Sequence, residues 1–300
     1  MRLIKIGSTE RALVKAIQAK VGVTPDGIFG PKTQKALAHW QSQAGLVGDG
    51  IAGPITMEKM GILDTDLKNE SQFVTDEGLI IEKSYLPKGE YIEEDYKINN
   101  EYIFLHHTAG NANPFNTIRH WGRDDRGRIA TEFVLGGQDH KTGDSRYDGI
   151  MVQAFPEGCQ GWHIGKSGSY YMNRHSVALE ICSMGYLTDS LKTYVGSKTL
   201  ESQVAILEEP FRRKTHWHKY SDKQIEATRK WILYVSNRDL IDLDVGLLKW
   251  LKTESPGEAF SFKEEAYKGN VKGLLTHTNV RKDKMDCFPQ DEFIDMLLSI

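Results

Sequence analysis

Y-I-F-L-H-H-T-A-G, residues 102 to 110, is an apolar run that ends in two histidines and a turn. The aromatic and β-branched residues from Tyr102 to Leu105 predict a strand buried in a sheet. Side chains alternate along a strand, so Tyr102, Phe104 and His106 share one face while Ile103, Leu105 and His107 share the other. Only one of the two histidines can therefore point straight at a given site. Thr108-Ala109-Gly110 ends the strand.

A second stretch complements the first. In T-H-T-N-V-R-K-D-K-M-D-C-F-P, residues 276 to 289, Leu274-Leu275 leads into His277, which places that histidine at a strand end. Lys284 and Asp286 follow closely. A histidine and a carboxylate can bind zinc through nitrogen and oxygen, but a site also needs a third ligand and an open position for water. The histidine pair at 106 and 107 is the strongest source of that third ligand.

Between these stretches the chain predicts strands at 79–81, 131–137, 151–155 and 176–182 and a loop at 162–165. It predicts helices at 115–121 and 221–235, the latter opened by Ser221 with Gln224 completing a capping box, and a closing helix at 291–298. Strands interleaved with helices make an α/β domain around one central mixed β-sheet flanked by helices. Segments 185–219 and 238–270 are extra loops or helices to which the sequence assigns no role.

Ahead of this domain lies an internal repeat. D-G-I-F-G-P-K-T at 26–33 returns as D-G-I-A-G-P-I-T at 49–56, a period of 23 residues. The Asp-Gly pairs suit tight turns, and Pro31 and Pro54 suit the first position of a helix. Apolar residues at helical spacing on either side predict a small three-helix N-terminal domain, residues 1–63. The polar, acidic stretch 64–78 reads as a linker, and 79–300 as the second domain.

Composition is that of an ordinary globular chain, with 26% charged and 39% hydrophobic residues. The net charge of −3 argues against nucleic acid as the main partner, and no apolar run approaches a membrane span. The first residues lack the pattern of a signal peptide, and Cys159, Cys182 and Cys287 are too scattered for a disulfide framework. Both features predict a chain made in the cytoplasm.

With these stretches placed, two resemblances can be stated. Residues 1–63 resemble the peptidoglycan-binding domain of cell-wall hydrolases, whose signature is the repeated D-G-x-x-G-P-x-T. Residues 79–300 resemble a type-2 N-acetylmuramoyl-L-alanine amidase, the zinc fold shared with peptidoglycan recognition proteins. The likeness rests on L-H-H-T-A-G (105–110), T-E-F-V-L-G-G (131–137), G-W-H-I-G (161–165), S-V-A-L-E-I-C (176–182) and T-H-T-N-V-R-K-D-K-M-D-C-F-P (276–289). It implies a Zn2+ cofactor held by His106, His277 and Asp286, with Glu180 and Lys284 as catalytic residues. Thr108 and His163 are the expected substrate contacts, although His163 could instead pack beside Trp162. The family's Asp-Pro-Gly is Asp286-Cys287-Phe288-Pro289 here, which leaves Cys287 open as an alternative ligand.

The resemblance further implies hydrolysis of the amide between N-acetylmuramic acid and L-alanine. Glu180 would accept the proton of the attacking water, and Lys284 would face the oxyanion. The presence of all three ligands favours an enzyme over a non-catalytic peptidoglycan-recognition module. A phage endolysin, made in the host cytoplasm and acting on the cell wall, is the leading expectation, ahead of a secreted autolysin or recycling amidase. Two bland readings complete the set: His216 and His218 as surface histidines around Trp217, and Cys182 as a packing residue.

Overall fold

The structure, a computed structural model, describes residues 3–8, 11–62, 72–94, 98–165 and 170–300. The chain divides into two compact units at Phe73/Val74.

The first unit has three helices, α1 (Arg11–Lys20), α2 (Pro31–Gln43) and α3 (Pro54–Lys59). Extended Gly30 and Gly53 precede α2 and α3, and each helix begins on the proline of its repeat. Gly27 and Gly50 take φ of 79° and 69°, left-handed conformations that explain the glycine in each Asp-Gly turn. Ile4, Val14, Ile17, Phe29, Leu37 and Ala52 form the core.

One glutamine locks each copy of the repeat. Gln18 Nε2 donates to Asp26 Oδ1 at 2.7 Å, to the Ile28 carbonyl at 3.1 Å and to Thr33 Oγ1 at 3.1 Å, and Gln18 Oε1 accepts from Gly27 N at 2.9 Å. Gln41 repeats the set on Asp49, Ile51, Thr56 and Gly50, at 3.0, 3.0, 3.1 and 2.8 Å. The Asp-Gly-x-x-Gly-Pro-x-Thr signature therefore surrounds a buried amide, and the Asp-Gly turns serve to shape the loops. Gln41→Leu strands the Gly50 N–H and the Thr56 hydroxyl without partners. Chemical denaturation of the N-terminal unit should show a loss of about 2–6 kcal/mol, from about one to three kcal/mol per stranded buried group.

The second unit is built on a sheet of β1 (Gln72–Val74), β2 (Ile80–Lys83), β3 (Tyr102–His107), β4 (Phe133–Leu135), β5 (Met151–Gln153), β6 (Ser176–Ile181) and β9 (Gly273–Thr276), in the order β1-β2-β5-β4-β6-β3-β9. Strand β1 and the turn after it fall inside the stretch expected to be linker. Within 72–78 only Phe73 and Val74 are apolar, and a turn closed by Gly78 (φ 72°) and the Thr75–Leu79 hydrogen bond returns the chain into β2. Residues 64–71 of that stretch lie outside the described residues.

Strands β3, β6 and β9 run parallel, β4 is parallel to β6, and β4 and β5 are antiparallel, so the sheet is mixed, as expected. Every residue of β3 is buried, because the strand lies between β6 and β9 and both of its faces are covered.

Register divides the two faces. Phe104, His106, Ala178, Glu180 and Val134 share one face, against which Ile118 of helix α4 (Pro114–Trp121) packs. Ile103, Leu105, His107, Leu179 and Phe133 share the other. There Trp231 of helix α6 (Asp222–Asp239) sets its ring 5.7 Å from that of Phe133. Helix α5 (Tyr170–Arg174) precedes β6, and α7 (Asp291–Leu298) closes the chain. The capping box of Ser221 and Gln224 is formed as expected.

The two unassigned segments now have structure. Segment 185–219 contains a separate antiparallel hairpin of β7 (Val204–Phe211) and β8 (Lys214–His218), and segment 238–270 contains short helices at Leu247–Leu251, Pro256–Ala259 and Glu264–Tyr267. His218, the last residue of β8, is buried rather than on the surface: its ring lies 5.9 Å from that of His140 and its Nδ1 accepts the Met184 N–H at 3.0 Å.

Candidate metal centre

The carboxyl ends of β3, β6 and β9 lie along one edge of the sheet, where parallel α/β sheets place their ligand sites. His106 arrives from the end of β3, His277 directly after β9 and Asp286 from the loop that follows. His106 Nδ1 and His277 Nδ1 are 3.0 Å apart, and Asp286 Oδ2 lies 3.2 Å from the first and 3.0 Å from the second. Among the described residues this is the one group of three His, Cys, Asp or Glu side chains with metal-binding geometry. Cys287 is buried and outside the group, and burial pushes its thiol well above the ordinary range, so it is held protonated.

The sequence around His277 explains how the residue is held. Thr276, Thr278 and Asn279 are all fully buried. The Asn279 side chain accepts from Thr276 N at 2.9 Å and donates to the carbonyls of Ala259 and Ser261 at 2.8 and 2.9 Å. Thr278 Oγ1 donates to the Phe260 carbonyl at 2.6 Å. In T-H-T-N, the three polar neighbours anchor the turn on the segment at 259–261 and leave the histidine free to face the site.

His106 is fixed from behind. Its Nε2 meets His163 Nδ1 at 3.0 Å, His163 Nε2 meets Ser176 Oγ at 2.7 Å, and Ser176 Oγ donates to the Asn173 carbonyl at 3.2 Å. A carbonyl can only accept, and this sets the direction of the whole chain. With the Ser176 proton on the Asn173 carbonyl, His163 donates from Nε2 and accepts at Nδ1. His106 then donates from Nε2, and its Nδ1 presents a lone pair to His277 and Asp286. Burial, followed by the neighbouring His277, lowers the His106 pKa to about 4, so the ring is neutral at physiological pH. His277 has no comparable constraint, because its Nε2 is buried without a hydrogen-bond partner.

This donor set fits a zinc ion. A bare Nδ1 placed 3.2 Å from a carboxylate oxygen sets lone pair against lone pair unless positive charge sits between them. Bonds of about 2.0–2.1 Å to a tetrahedral zinc place ligand atoms about 3.3 Å apart, near the three separations found here. Burial opposes the charge on Asp286, yet the neighbouring His277 offsets burial and holds its carboxyl well below the usual range. The site favours a cation beside that carboxylate.

Glu180 sits opposite His106 on the neighbouring strand, on the same face. Burial, and then the charge of Asp286, raise its pKa well above the usual carboxylate value, while Lys284 pulls it the other way. Among the described residues neither Glu180 nor Lys284 forms an ion pair with a protein partner, so both charges are left for something that enters the site. Thr108 Oγ1 instead ties strand ends together, accepting from Gly110 N at 3.0 Å and Ser183 N at 3.3 Å and donating to the Ser183 carbonyl at 3.3 Å. Cys182 is fully buried in the core beside Val134 and Ile118.

Sequence reasoning missed Ser176, Asn173 and the anchoring role of segment 259–261. No pattern marks the first two, which act through a hydroxyl and a backbone carbonyl.

Comparison with known proteins places both units. Residues 96–258 match the family model described as N-acetylmuramoyl-L-alanine amidase, and residues 8–60 match one described as a peptidoglycan binding domain. The first match covers more than half of the chain but stops short of His277, Lys284 and Asp286. No curated protein matches. Similar solved structures include PlyL, at 13% identity over 67% of this chain and 84% of that one, with a TM-score of 0.36. A mutant endolysin from Bacillus subtilis is 26% identical over 34% of this chain and 60% of that one, with a TM-score of 0.26. The Staphylococcus aureus hydrolase AmiA in complex with its ligand is 12% identical over 78% and 87%, with a TM-score of 0.38. None of these three likenesses carries an argument about function.

Proposed function

The chain belongs to the N-acetylmuramoyl-L-alanine amidase family, and on that premise we propose a zinc-dependent phage endolysin whose metal is held by His106, His277 and Asp286. Its activity is hydrolysis of peptidoglycan at the amide between N-acetylmuramic acid and L-alanine. The observation that carries the zinc reading is the convergence of three buried or half-buried ligand atoms, one of them forced into the bare tautomer, beside an unpaired Glu180 and Lys284.

Zinc bound there would supply a water acidified to near neutral pH and a Lewis-acid contact for the substrate. The remaining work falls to the chain. Glu180, with its raised pKa, accepts a proton from the nucleophile and returns it to the leaving amine, the role of a general base. Lys284 sets a fixed positive charge where the oxyanion develops. His163 holds the tautomer of His106, and we assign it that role in place of the substrate contact expected from sequence, because both its ring nitrogens are taken up inside the protein. Thr108 likewise positions the end of β3.

The endolysin role and the site of action are supported by two features. A peptidoglycan-binding unit is joined to a wall hydrolase in one chain. The three cysteines are unpaired thiols, two of them buried, as suits folding in a reducing cytoplasm before release to the wall.

The test is a mass spectrum of digested cell wall from the full chain and from a chain starting at Gln72, with zinc content measured on both. New N-terminal alanine and intact muramic acid identify the amidase cut; glycan fragments or cross-bridge cleavage overturn it. The shorter chain should match the longer on soluble muropeptides and fall behind on intact walls, where anchoring raises local substrate concentration.

A further inference from the structure

The loop that ends at Asp286 opens with a helical turn, His277–Val280, carries Lys284 and Asp286, and is closed at its neck by a hydrogen bond from Thr278 N to the Asp286 carbonyl at 3.1 Å. One side of its base is anchored by the segment at 259–261. The outer side is met by the β7–β8 hairpin, part of the segment to which the sequence assigned no role.

At the hairpin tip Phe211 pairs with Lys214, leaving Arg212 and Arg213 as a two-residue turn. Both are left-handed, with φ of 51° and 65°. Such turns ordinarily use asparagine or glycine, and a left-handed residue with a full side chain costs about 1–2 kcal/mol. Strain of this kind is kept where the side chain has a task. The Arg212 guanidinium donates from Nη1 to the Lys282 carbonyl at 2.9 Å and from Nη2 to the carbonyls of Thr278 and Arg281 at 3.3 and 3.5 Å. A planar fork of donors suits several carbonyls of one curved backbone.

The rest of the hairpin reaches the other end of the same loop. Trp217 of β8 is fully buried and stacks on Phe288, two residues beyond Asp286, with ring centroids 4.7 Å apart and planes 9° from parallel. Phe211 packs edge-on to Phe260, beside the anchor of Thr278. Arg281, inside the loop, donates to the Ile164 carbonyl at 3.0 Å on the far side.

We propose that Arg212 is a positioning residue: the β7–β8 hairpin is a brace whose tip grips the backbone of the 278–286 loop and so sets where Asp286 and Lys284 stand relative to His106 and His277. The inference rests on the metal reading above, and it gives segment 185–219 a function.

Arg212→Asn separates grip from fold, because asparagine favours the left-handed turn and has no reach to the three carbonyls. The metal-free variant should remain folded, because relief of the left-handed strain partly offsets the lost hydrogen bonds. Its zinc affinity, from chelator competition, should fall about 10- to 100-fold, the usual effect of losing an outer partner of a ligand. Hydrogen exchange at the amides of residues 278–286 should quicken in the metal-free protein. Arg212→Lys, which keeps a cation and one reach, should fall between, and Arg213→Asn should match wild type. Wild-type zinc affinity and wild-type exchange in Arg212→Asn would overturn the brace. A wild-type chain that binds no zinc would instead sink the metal reading, while the exchange measurement would still decide the brace.

Discussion

His277→Ala is expected to abolish zinc binding and wall cleavage while leaving the chain folded. The loss should exceed the roughly 10- to 100-fold seen when only an outer partner is removed, because one of three ligand atoms is gone. Without the metal, water at neutral pH lacks the acidification that takes its pKa from 15.7 to about 7. Folding should survive because the turn is held by Thr276, Thr278 and Asn279 and owes little to the histidine itself. Zinc content, turnover and circular dichroism on the same sample decide the matter. Full zinc occupancy in the variant would remove His277 from the site. Asp286→Ala should behave alike, and Cys287→Ser should keep its zinc, which distinguishes the carboxylate from the adjacent thiol.

Glu180→Gln should keep zinc and muropeptide affinity and lose about 100- to 10,000-fold in turnover, the range of a general base. The pH profile gives an independent check. Burial and the charge of Asp286 raise the Glu180 pKa, and Lys284 lowers it. Lys284→Met removes the lowering influence, so the carboxylate becomes harder to ionise and the acid limb of kcat/KM should move to higher pH. In Glu180→Gln that limb should change or vanish. Near-normal turnover with an unchanged profile in Glu180→Gln would end the assignment. An acid limb that moved to lower pH in Lys284→Met would show that another group titrates there.

The sequence shows the sheet at its centre and becomes less informative outward. Tyr102 to Leu105 announces a buried strand because four bulky residues in a row have nowhere else to go, and alternation then separates His106 from His107. In the structure the two part as alternation requires: His106 faces His277 and Asp286, and His107 Nδ1 meets the Tyr220 hydroxyl at 3.0 Å. The shorter strands were harder to bound. Residues 131–137 suggested a strand of seven, but only Phe133–Leu135 pair as one, and Thr131 instead bonds the Phe133 carbonyl at 2.7 Å.

Gln18 and Gln41 were readable in principle, since they share the 23-residue period, yet an isolated polar residue on a helix gives no sign that it is buried. Arg212 was not readable at all. It grips backbone carbonyls, which every residue has, so the loop it holds bears no complementary mark. Ser176 and Asn173 were hidden for the same reason.

The chain of groups behind His106 ends on the Asn173 carbonyl, and this makes it an electrical dead end. A wire for protons must be able to run in either sense, with each member passing on what it receives. Here the last member cannot give a proton, and reversing the others would leave two donors or two lone pairs facing at some junction. The path through His163 thus favours one proton arrangement, in which His106 keeps its Nε2 proton and presents Nδ1 to the site. Proton transfer in the reaction then falls to Glu180, on the same face of the sheet. The solvent isotope effect on turnover should therefore vary linearly with the deuterium fraction, as for a single proton in flight, and should lose that dependence when Glu180 is removed.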